Sequence, residues 1–306
     1  MIIKKIYISV LAITLSILSI YAYYLKNTLN IAYISDKGYL PYVMTSMYSA
    51  IKNKKINSFY NFYIIAKNFD NQDIKKLKTL EAFDVKISVI NAEEKDLDYE
   101  NLGRFESFKI TLQKIFLPTY LDKLGKVLYL DADTIVQEDL KKVYSTDVSS
   151  VYLAATKDGL MYQHAYHMEE IGLKWRNFYF NSGVMLLNLK KMRKDNIEAK
   201  SIRYFQTNKE VFGDQDVLNV VVKDKVIPIS YRYNLNSTFF EEKDAEFLSK
   251  FYGEKIYPTP RENYNKAAVL HFSGFKPWTV YFNHPYLKKL WYNYFIELKS
   301  KYNLSI

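Results

Sequence analysis

The sequence contains no cysteine among its 306 residues. Disulfide bonds, thiolate metal sites and cysteine nucleophiles are therefore excluded. It also lacks internal repeats, low-complexity linkers and any recognisable nucleic-acid-binding motif, although its net charge is +10. We attribute most of this charge to a solvated lysine surface and predict no nucleic-acid partner. Apolar residues make up 49% of the chain and charged residues 25%, which favours a sizeable core over disorder.

Residues 1–30 differ from the rest of the chain. Ile6 to Leu25 form an uncharged run of 20 residues between Lys5 and Lys26. A helix of that length rises about 1.5 Å per residue and can cross a hydrocarbon core of roughly 30 Å. The run contains Ser9, Thr14, Ser16 and Ser19, and no small-x-small cleavage site follows it. We predict that this segment is an uncleaved single-pass membrane anchor. The flanking lysines do not decide which side of the membrane holds the rest of the chain. A cleaved signal segment and a buried helix are the alternatives.

Apolar runs alternate with helical patterns along residues 31–306, which we predict to be one domain. Strands are predicted at 31–35, 59–66, 85–90, 126–130, 151–156, 184–189, 226–229 and 267–271. Helices are predicted at 41–51, 74–83, 108–121, 190–206, 214–222 and 285–298. Strands that alternate with helices indicate an α/β fold with a mostly parallel sheet and helices on both faces. Ligands of such sheets bind at the carboxyl ends of the strands.

Two aspartates one residue apart follow a buried-strand pattern. The apolar run that ends at Leu130 leads directly into Asp131-Ala132-Asp133. Paired carboxylates at the mouth of a strand suit a hard divalent cation such as Mg²⁺ or Mn²⁺. The sequence holds two further Asp-x-Asp triplets, at Asp96/Asp98 and Asp214/Asp216. Because the Asp96 copy lies in a charged loop, the flanking apolar runs favour the Asp131 copy as the metal site.

A histidine ends a second apolar run. His271 follows Ala267–Leu270, and Gly274, Lys276 and Trp278 come soon after it. A neutral imidazole can be a third metal ligand. Gly274 would let the backbone approach a phosphate, and Lys276 could pair with that phosphate as a point charge. A purely structural histidine is the alternative.

Five sequence blocks carry a resemblance to a known family. They are Asp36 with Tyr39, Tyr129–Asp133, Phe180–Leu189, Asp214–Asn219 and His271–Trp278. In these blocks and their order, the chain resembles the retaining glycosyltransferases of family 8, the group of glycogenin and the bacterial lipopolysaccharide galactosyltransferases. The resemblance covers about residues 31–280 and implies a nucleotide-diphospho-sugar transferase (GT-A) fold. It also implies a Mn²⁺ cofactor and a UDP-hexose donor.

The resemblance assigns a role to each site residue. Asp131, Asp133 and His271 would bind the metal, which would neutralise charge on the leaving diphosphate. Asp36 and Tyr39 would contact the base, and Gly274 and Lys276 the diphosphate. The residues expected around the donor sugar are Asp158, Asn181, Asp214 and Gln215. Lys114 stands where the family usually has an arginine, so it keeps the charge and loses the bidentate fork.

The expected reaction transfers glucose or galactose to a glycan, lipid-linked or surface-polysaccharide acceptor with retention of configuration. We favour front-face attack, in which the leaving phosphate takes the acceptor proton, because the amide of Gln215 is a poor nucleophile. Asp214 or Gln215 would steady the oxocarbenium-like centre. Three alternatives stay open: a self-glycosylating primer like glycogenin, a nucleotide-sugar-binding protein without activity, and a nucleotidyltransferase.

Overall fold

The structure of the chain is a computed structural model. It describes residues 2–306 except 93–96, 98, 101, 103–108, 160–164, 175–177, 210, 224, 237–238 and 240–243, and it describes residues 2–12 by their backbone alone. The strands are β1 (Thr28–Asp36), β2 (Phe59–Lys67), β3 (Val85–Asn91), β4 (Val127–Leu130), β5 (Thr134–Val136), β6 (Leu153–Lys157), β7 (Phe180–Leu187), β8 (Val226–Pro228) and β9 (Val269–His271).

The helices surround these strands. They are α1 (Ile2–Asn27), α2 (Leu40–Asn53), α3 (Asn71–Lys78), α4 (Leu117–Tyr120), α5 (Lys141–Tyr144), α6 (Ala165–Glu170), α7 (Leu189–Lys194), α8 (Ile197–Thr207), α9 (Gly213–Val222), α10 (Ala245–Tyr252), α11 (Pro260–Lys266) and α12 (Pro285–Tyr302). Short 3₁₀ turns occupy Lys37–Tyr39, Thr111–Phe116 and Tyr231–Tyr233.

A central sheet of seven strands has the order β3-β2-β1-β4-β7-β6-β8. Strand β7 is antiparallel to both of its neighbours, and the other adjacent pairs are parallel. The other six strands therefore end at one edge of the sheet, and β7 begins at that same edge. The predicted α/β fold with a mostly parallel sheet is confirmed.

Both faces of the sheet are covered by apolar side chains. In β1, Ile31 and Tyr33 belong to one buried cluster, whereas Ala32 and Ile34 belong to the other. Successive side chains of a strand point to opposite faces, so a strand that is buried on both faces reads as a continuous apolar run. This is why the sequence pattern locates β1 correctly.

A second, two-stranded sheet pairs β5 with β9 in antiparallel register, which places Thr134 opposite His271. The chain leaves β4, passes through residues 131–133 and enters β5 at once. The short sheet therefore brings His271 beside the Asp131–Asp133 triplet, although more than a hundred residues separate them in the sequence.

Three predicted helices are wrong in extent. The predicted helix 74–83 is α3, which begins at Asn71 after its N-cap Asp70 and ends at Lys78. The predicted helix 108–121 is a 3₁₀ turn followed by α4, with Pro118 in the first turn of α4; Phe108 lies outside the described residues. Proline lacks an N–H and favours the first turn of a helix, so a separate helix begins beside Pro118. The predicted helix 190–206 is divided into α7 and α8 by Asn196, whose φ of 52° lies in the left-handed region.

Strand β7 begins four residues before its predicted start at Val184. The strand pattern is hidden there because Asn181 and Ser182 are polar and Gly183 is small, a composition that is also typical of a turn. In the structure all three lie within β7 and are buried. They take part in the sheet because their polar groups bond to neighbouring side chains instead of solvent.

The expected anchor segment forms helix α1. In the part of the chain that the structure describes, no helix is both long and apolar enough to cross a membrane. The membrane anchor stays a prediction.

Candidate active site

A cleft of about 570 Å³ opens at the edge where six strands of the large sheet end. This volume lies within the usual range for small-molecule sites. All twelve predicted site residues line the cleft. The structure therefore brings the whole predicted set together, and the role of each residue stays a prediction. Asp96 and Asp98, the triplet assigned to surface, lie outside the described residues.

Three potential metal ligands meet in this cleft. Oxygen atoms of Asp131 and Asp133 and a ring nitrogen of His271 lie within 4.8 Å of one another. Nε2 of His271 is 3.6 Å from Asp131 Oδ2 and 3.4 Å from Asp133 Oδ1. Two carboxylates and one imidazole suit Mn²⁺, and carboxylates also suit Mg²⁺.

Whether these three residues can bind a cation depends on which ring nitrogen of His271 carries the proton. The other ring nitrogen, Nδ1, lies 2.9 Å from the amide oxygen of Asn234. An amide oxygen only accepts hydrogen bonds, so Nδ1 carries the proton and Nε2 presents its lone pair to the carboxylates. A lone pair that faces two carboxylates is the arrangement a bound cation requires, and the residues fit.

Two lysines flank the carboxylates, Lys114 buried and Lys276 half-buried. Lys114 lies 3.0 Å from both Asp131 and Asp214, and Lys276 pairs with Asp133 while donating to the Phe272 carbonyl at 2.9 Å. Burial alone would lower the pKa of each lysine, but attraction to these carboxylates outweighs burial and raises it. Both lysines are therefore charged at neutral pH.

The same pairing acts on Asp133. Burial alone would raise the pKa of this carboxyl, but the positive charge of Lys276 and its hydrogen bond to Asp133 oppose burial, and the pKa is lowered. Asp133 is therefore ionised at neutral pH, as a cation ligand must be.

Four polar side chains form one wall of the cleft. Asp158 Oδ2 accepts hydrogen bonds from Asn181 Nδ2 at 3.1 Å and from Gln215 Nε2 at 3.0 Å. Gln215 Oε1 in turn accepts from the backbone N–H of Ser182 at 3.0 Å. Asp214 Oδ2 is buried and lies 3.0 Å from the Lys114 ammonium. Because Asp214 is among the residues that line the cleft, its carboxylate can also accept a hydrogen bond from a ligand hydroxyl.

The far end of the cleft is built by the turn after β1. Asp36 Oδ1 accepts a hydrogen bond from the Tyr39 backbone N–H at 3.0 Å, which fixes that turn. The Tyr39 ring meets Trp278 edge to face, with ring centroids 6.1 Å apart, and Trp278 stacks on Tyr42. Gly274 has a φ of 81°, a backbone conformation that favours glycine.

Sequence reasoning missed four residues of the site. Asn234 holds His271, Gly183 lies beneath its ring, Tyr129 donates to Asp131 at 2.6 Å, and the Ser182 backbone holds Gln215. Tyr129, Ser182 and Gly183 lie inside the family blocks, so those blocks were the available signal. Asn234 lies outside every block and no spacing marks it.

Comparisons with known proteins agree with this geometry. Residues 30–281 match glycosyl transferase family 8. A protein of Haemophilus influenzae that bears the name glycosyltransferase is 32% identical over 227 residues, which are 70% of this chain and 65% of that protein. The chain thus spans just under two thirds of that relative's length. Lipopolysaccharide 1,2-glucosyltransferase of Escherichia coli is 26% identical over 272 residues, or 85% of this chain and 76% of that enzyme.

Among solved structures, the chain is similar to galactosyltransferase LgtC in complex with donor and acceptor sugar analogs. The TM-score is 0.71 at 22% identity, over 91% of this chain and 97% of that one. At such identity the likeness shows the fold alone, and the fold is of the predicted GT-A kind. Because the family match extends over most of the sequence and includes every residue of the cleft, the chain belongs to glycosyl transferase family 8.

Proposed function

We propose that the chain is a retaining hexosyltransferase that moves glucose or galactose from a UDP-sugar to a glycan or glycolipid acceptor, with Mn²⁺ as cofactor. The observation that carries the proposal is the convergence of Asp131, Asp133 and His271 with two charged lysines in one cleft. The names of the similar enzymes, a glucosyltransferase and a galactosyltransferase, support the hexose.

The diphosphate end of the donor would lie beside the lysines. Held by Asp131, Asp133 and His271, a divalent cation would neutralise the charge that builds on the departing diphosphate. Lys276 can exchange its contact with Asp133 for a phosphate oxygen, and Gly274 leaves the backbone beside it without a side chain. Lys114 supplies a second positive charge from beneath the carboxylates. Asp36 and Tyr39 would hold the base at the far end.

The sugar end of the donor would lie against Asp158, Asn181, Asp214 and Gln215. The Asp214 carboxylate, which lines the cleft, would accept a hydrogen bond from a sugar hydroxyl. Both ends of the Gln215 amide are engaged, the oxygen by the Ser182 N–H and the nitrogen by Asp158. This supports front-face attack by the acceptor, in which the leaving phosphate oxygen takes the acceptor proton and Gln215 positions Asp158.

Release of UDP tests the activity. The full chain is incubated with UDP-glucose and with UDP-galactose in the presence of Mn²⁺, and UDP is followed with and without EDTA. We expect metal-dependent release from one or both donors, and loss of release in Asp133→Ala. Exposed Asp147 provides the matched control, Asp147→Ala, which should keep the wild-type rate. Equal rates with and without EDTA would contradict the proposal.

Three other outcomes identify the alternatives. A mass increase of the intact chain by whole hexose units after incubation with donor would indicate a self-glycosylating primer. Tight binding of UDP, with no UDP released from UDP-sugar in the presence of any acceptor tested, would indicate a binding protein. Pyrophosphate released from UTP and a sugar phosphate would indicate a nucleotidyltransferase.

We further propose that the end of the domain opposite the cleft faces a membrane surface. Exposed Ile56 and Phe83 lie in the loops that enter β2 and β3, at the edge where α1 joins β1. The rings of Tyr24, Phe59 and Phe83 form a continuous line there, with neighbouring centroids 4.9 and 6.2 Å apart. The apolar side chains of α1 from Ile13 to Leu25 are exposed as well. Such an apolar end indicates a lipid contact.

Sedimentation with vesicles tests this second proposal. Strand β1 has nine residues, so at about 3.3 Å each the cleft would lie roughly 30 Å from the lipid surface. The full chain should sediment with phosphatidylcholine–phosphatidylglycerol vesicles, and Ile56→Ser combined with Phe83→Ser should lower the bound fraction. Tyr166→Ser removes an exposed aromatic elsewhere and should leave binding unchanged. A wild-type chain that stays in the supernatant would refute the lipid contact.

A further inference from the structure

We propose that Asn234 is a positioning residue that holds His271 in its metal-binding tautomer. Through Asn181, it also connects His271 to the wall of the cleft formed by Asp158, Asn181, Asp214 and Gln215, here called the sugar wall. The inference rests on the proposed function, because it concerns the same metal site. Asn234 is not among the residues that line the cleft. Its role is therefore exerted through its neighbours His271 and Asn181.

The backbone holds Asn234 in a fixed place. It follows the 3₁₀ turn Tyr231–Tyr233, and the next residue, Leu235, bridges to β9. Leu235 donates to the Val269 carbonyl at 3.0 Å and accepts from the His271 N–H at 2.9 Å. Asn234 is fully buried. Its side chain is therefore held beside His271 and has no contact with solvent.

The orientation of the Asn234 side-chain amide can be deduced from the Gly183 backbone N–H, because a backbone N–H can only donate a hydrogen bond. The Gly183 N–H lies 3.0 Å from one side-chain atom of Asn181, so that atom is the oxygen Oδ1. The Asn234 atom 2.9 Å from this same oxygen must then be a donor, its nitrogen Nδ2. The oxygen of Asn234 consequently faces Nδ1 of His271, which must donate to it.

One consequence concerns the metal. With the proton on Nδ1, Nε2 is unprotonated and directed at Asp131 and Asp133. Without Asn234, a proton on Nε2 would be attracted to these carboxylates and would block metal binding. Partners of this kind, which orient a metal-bound histidine, typically contribute about 10–100-fold to metal affinity.

A second consequence concerns the sugar wall. Asn234 Nδ2 donates to Asn181 Oδ1, and Asn181 Nδ2 donates to Asp158. The chain of bonds thus runs from the imidazole of His271 to the carboxylate of Asp158, all through buried groups. Asn234 therefore has two separable functions, one as an acceptor toward His271 and one as a donor toward Asn181.

Two substitutions separate these functions. Asn234→Asp keeps the acceptor for His271 and loses the donor to Asn181, whereas Asn234→Leu has a similar size and loses both. Mn²⁺ affinity is measured with the full chain by electron paramagnetic resonance of free Mn²⁺, with UDP present. We expect Asn234→Leu to weaken Mn²⁺ binding about 10–100-fold and Asn234→Asp to remain within about threefold of wild type or bind more tightly. Turnover should fall in both variants.

The tautomer provides a readout that depends on neither metal nor activity. The chain has four histidines, so ¹⁵N resonances of the metal-free protein can be assigned by substitution. We expect the Nδ1–H tautomer of His271 in wild type and Asn234→Asp, and loss of it in folded Asn234→Leu. A wild-type Nε2–H tautomer, or equal Mn²⁺ affinity in all three folded proteins, would overturn the proposal. If His271 has the Nδ1–H tautomer but the protein releases no UDP, the proposed function would be contradicted and the role of Asn234 would stand.

Discussion

A β-carbon built on Gly183 would lie 2.1 Å from Cε1 of His271. The imidazole therefore lies directly on the bare backbone of β7, in space that any other residue would fill. The requirement for glycine here is one of volume and not of backbone conformation, since Gly183 has no positive φ. The smallest residue of the sheet thus sets the position of a metal ligand.

Gly183→Ala should displace the His271 ring and weaken Mn²⁺ binding by about 10-fold or more, because the ring moves away from both carboxylates. Electron paramagnetic resonance of free Mn²⁺ measures the affinity, and thermal unfolding checks the fold. Gly125→Ala is the matched control, because a β-carbon there meets nothing within 4 Å. Wild-type Mn²⁺ affinity in folded Gly183→Ala would show that the ring has room to move.

Lys114 should be needed for stability as well as for activity. Lys114→Met leaves two carboxylates without their partner, and breaking a buried ion pair typically costs about 3–5 kcal/mol. We expect the lower end of that range, because Asp131 still borders the open cleft. Urea unfolding measures the loss. Lys114→Arg keeps the charge and should recover most of the stability, whereas an unchanged unfolding free energy in Lys114→Met would contradict this account.

Asp214→Asn should separate sugar recognition from UDP recognition. Asp214 lines the cleft at the wall where we place the sugar, whereas Asp36 and Tyr39 are the expected base contacts. We expect the affinity for UDP to change little, while turnover of the UDP-sugar falls about 100-fold or more because the negative charge beside the reacting sugar is lost. Calorimetry and UDP release measure the two quantities. A parallel loss of UDP affinity would place Asp214 at the diphosphate instead.

The Asp216 carboxylate of the third Asp-x-Asp triplet has a structural role. It accepts from Tyr179 at 2.7 Å, from the Phe212 N–H at 2.7 Å and from His167 at 2.9 Å. The hydrogen bond with Asp216 raises the pKa of His167 against the effect of burial, and Glu170 raises it further. A histidine with a raised folded-state pKa stabilises the fold below its unfolded pKa and loses that stabilisation as pH rises through the folded value.

His167→Gln should therefore lower the melting temperature most at low pH. We expect a larger difference from wild type at about pH 6 than at about pH 9, since His167 is charged only at the former. Thermal unfolding at the two pH values measures it. A difference that stays constant, or grows with pH, would show that the charge of His167 does not stabilise the fold.

The sequence was informative wherever local pattern decides structure. Strands β1, β2 and β4 are continuous apolar runs because both faces of the sheet are buried, so their places could be predicted within a few residues. The site residues could be named because the family blocks follow one another in order. Only Ala132 separates Asp131 from Asp133, so their pairing needed no knowledge of the fold.

Other features depend on contacts between distant segments, which local pattern does not contain. The start of β7 is hidden because Asn181 and Ser182 are polar, and their partners, Asn234 and Gln215, come from segments far along the chain. Its antiparallel direction is likewise decided by pairing with β4 and β6. The contact between Gly183 and His271 joins two sheets, so only the folded chain shows why a glycine is needed.

The most direct test of the account is calorimetric titration of UDP into the full chain, with Mn²⁺ and with EDTA, for wild type and Asp133→Ala. The account predicts that wild type binds UDP with Mn²⁺ and much more weakly with EDTA, and that Asp133→Ala binds weakly in both, because the cation joins the diphosphate to Asp131, Asp133 and His271. Absence of UDP binding to folded wild type, or the same affinity with and without metal, would contradict it.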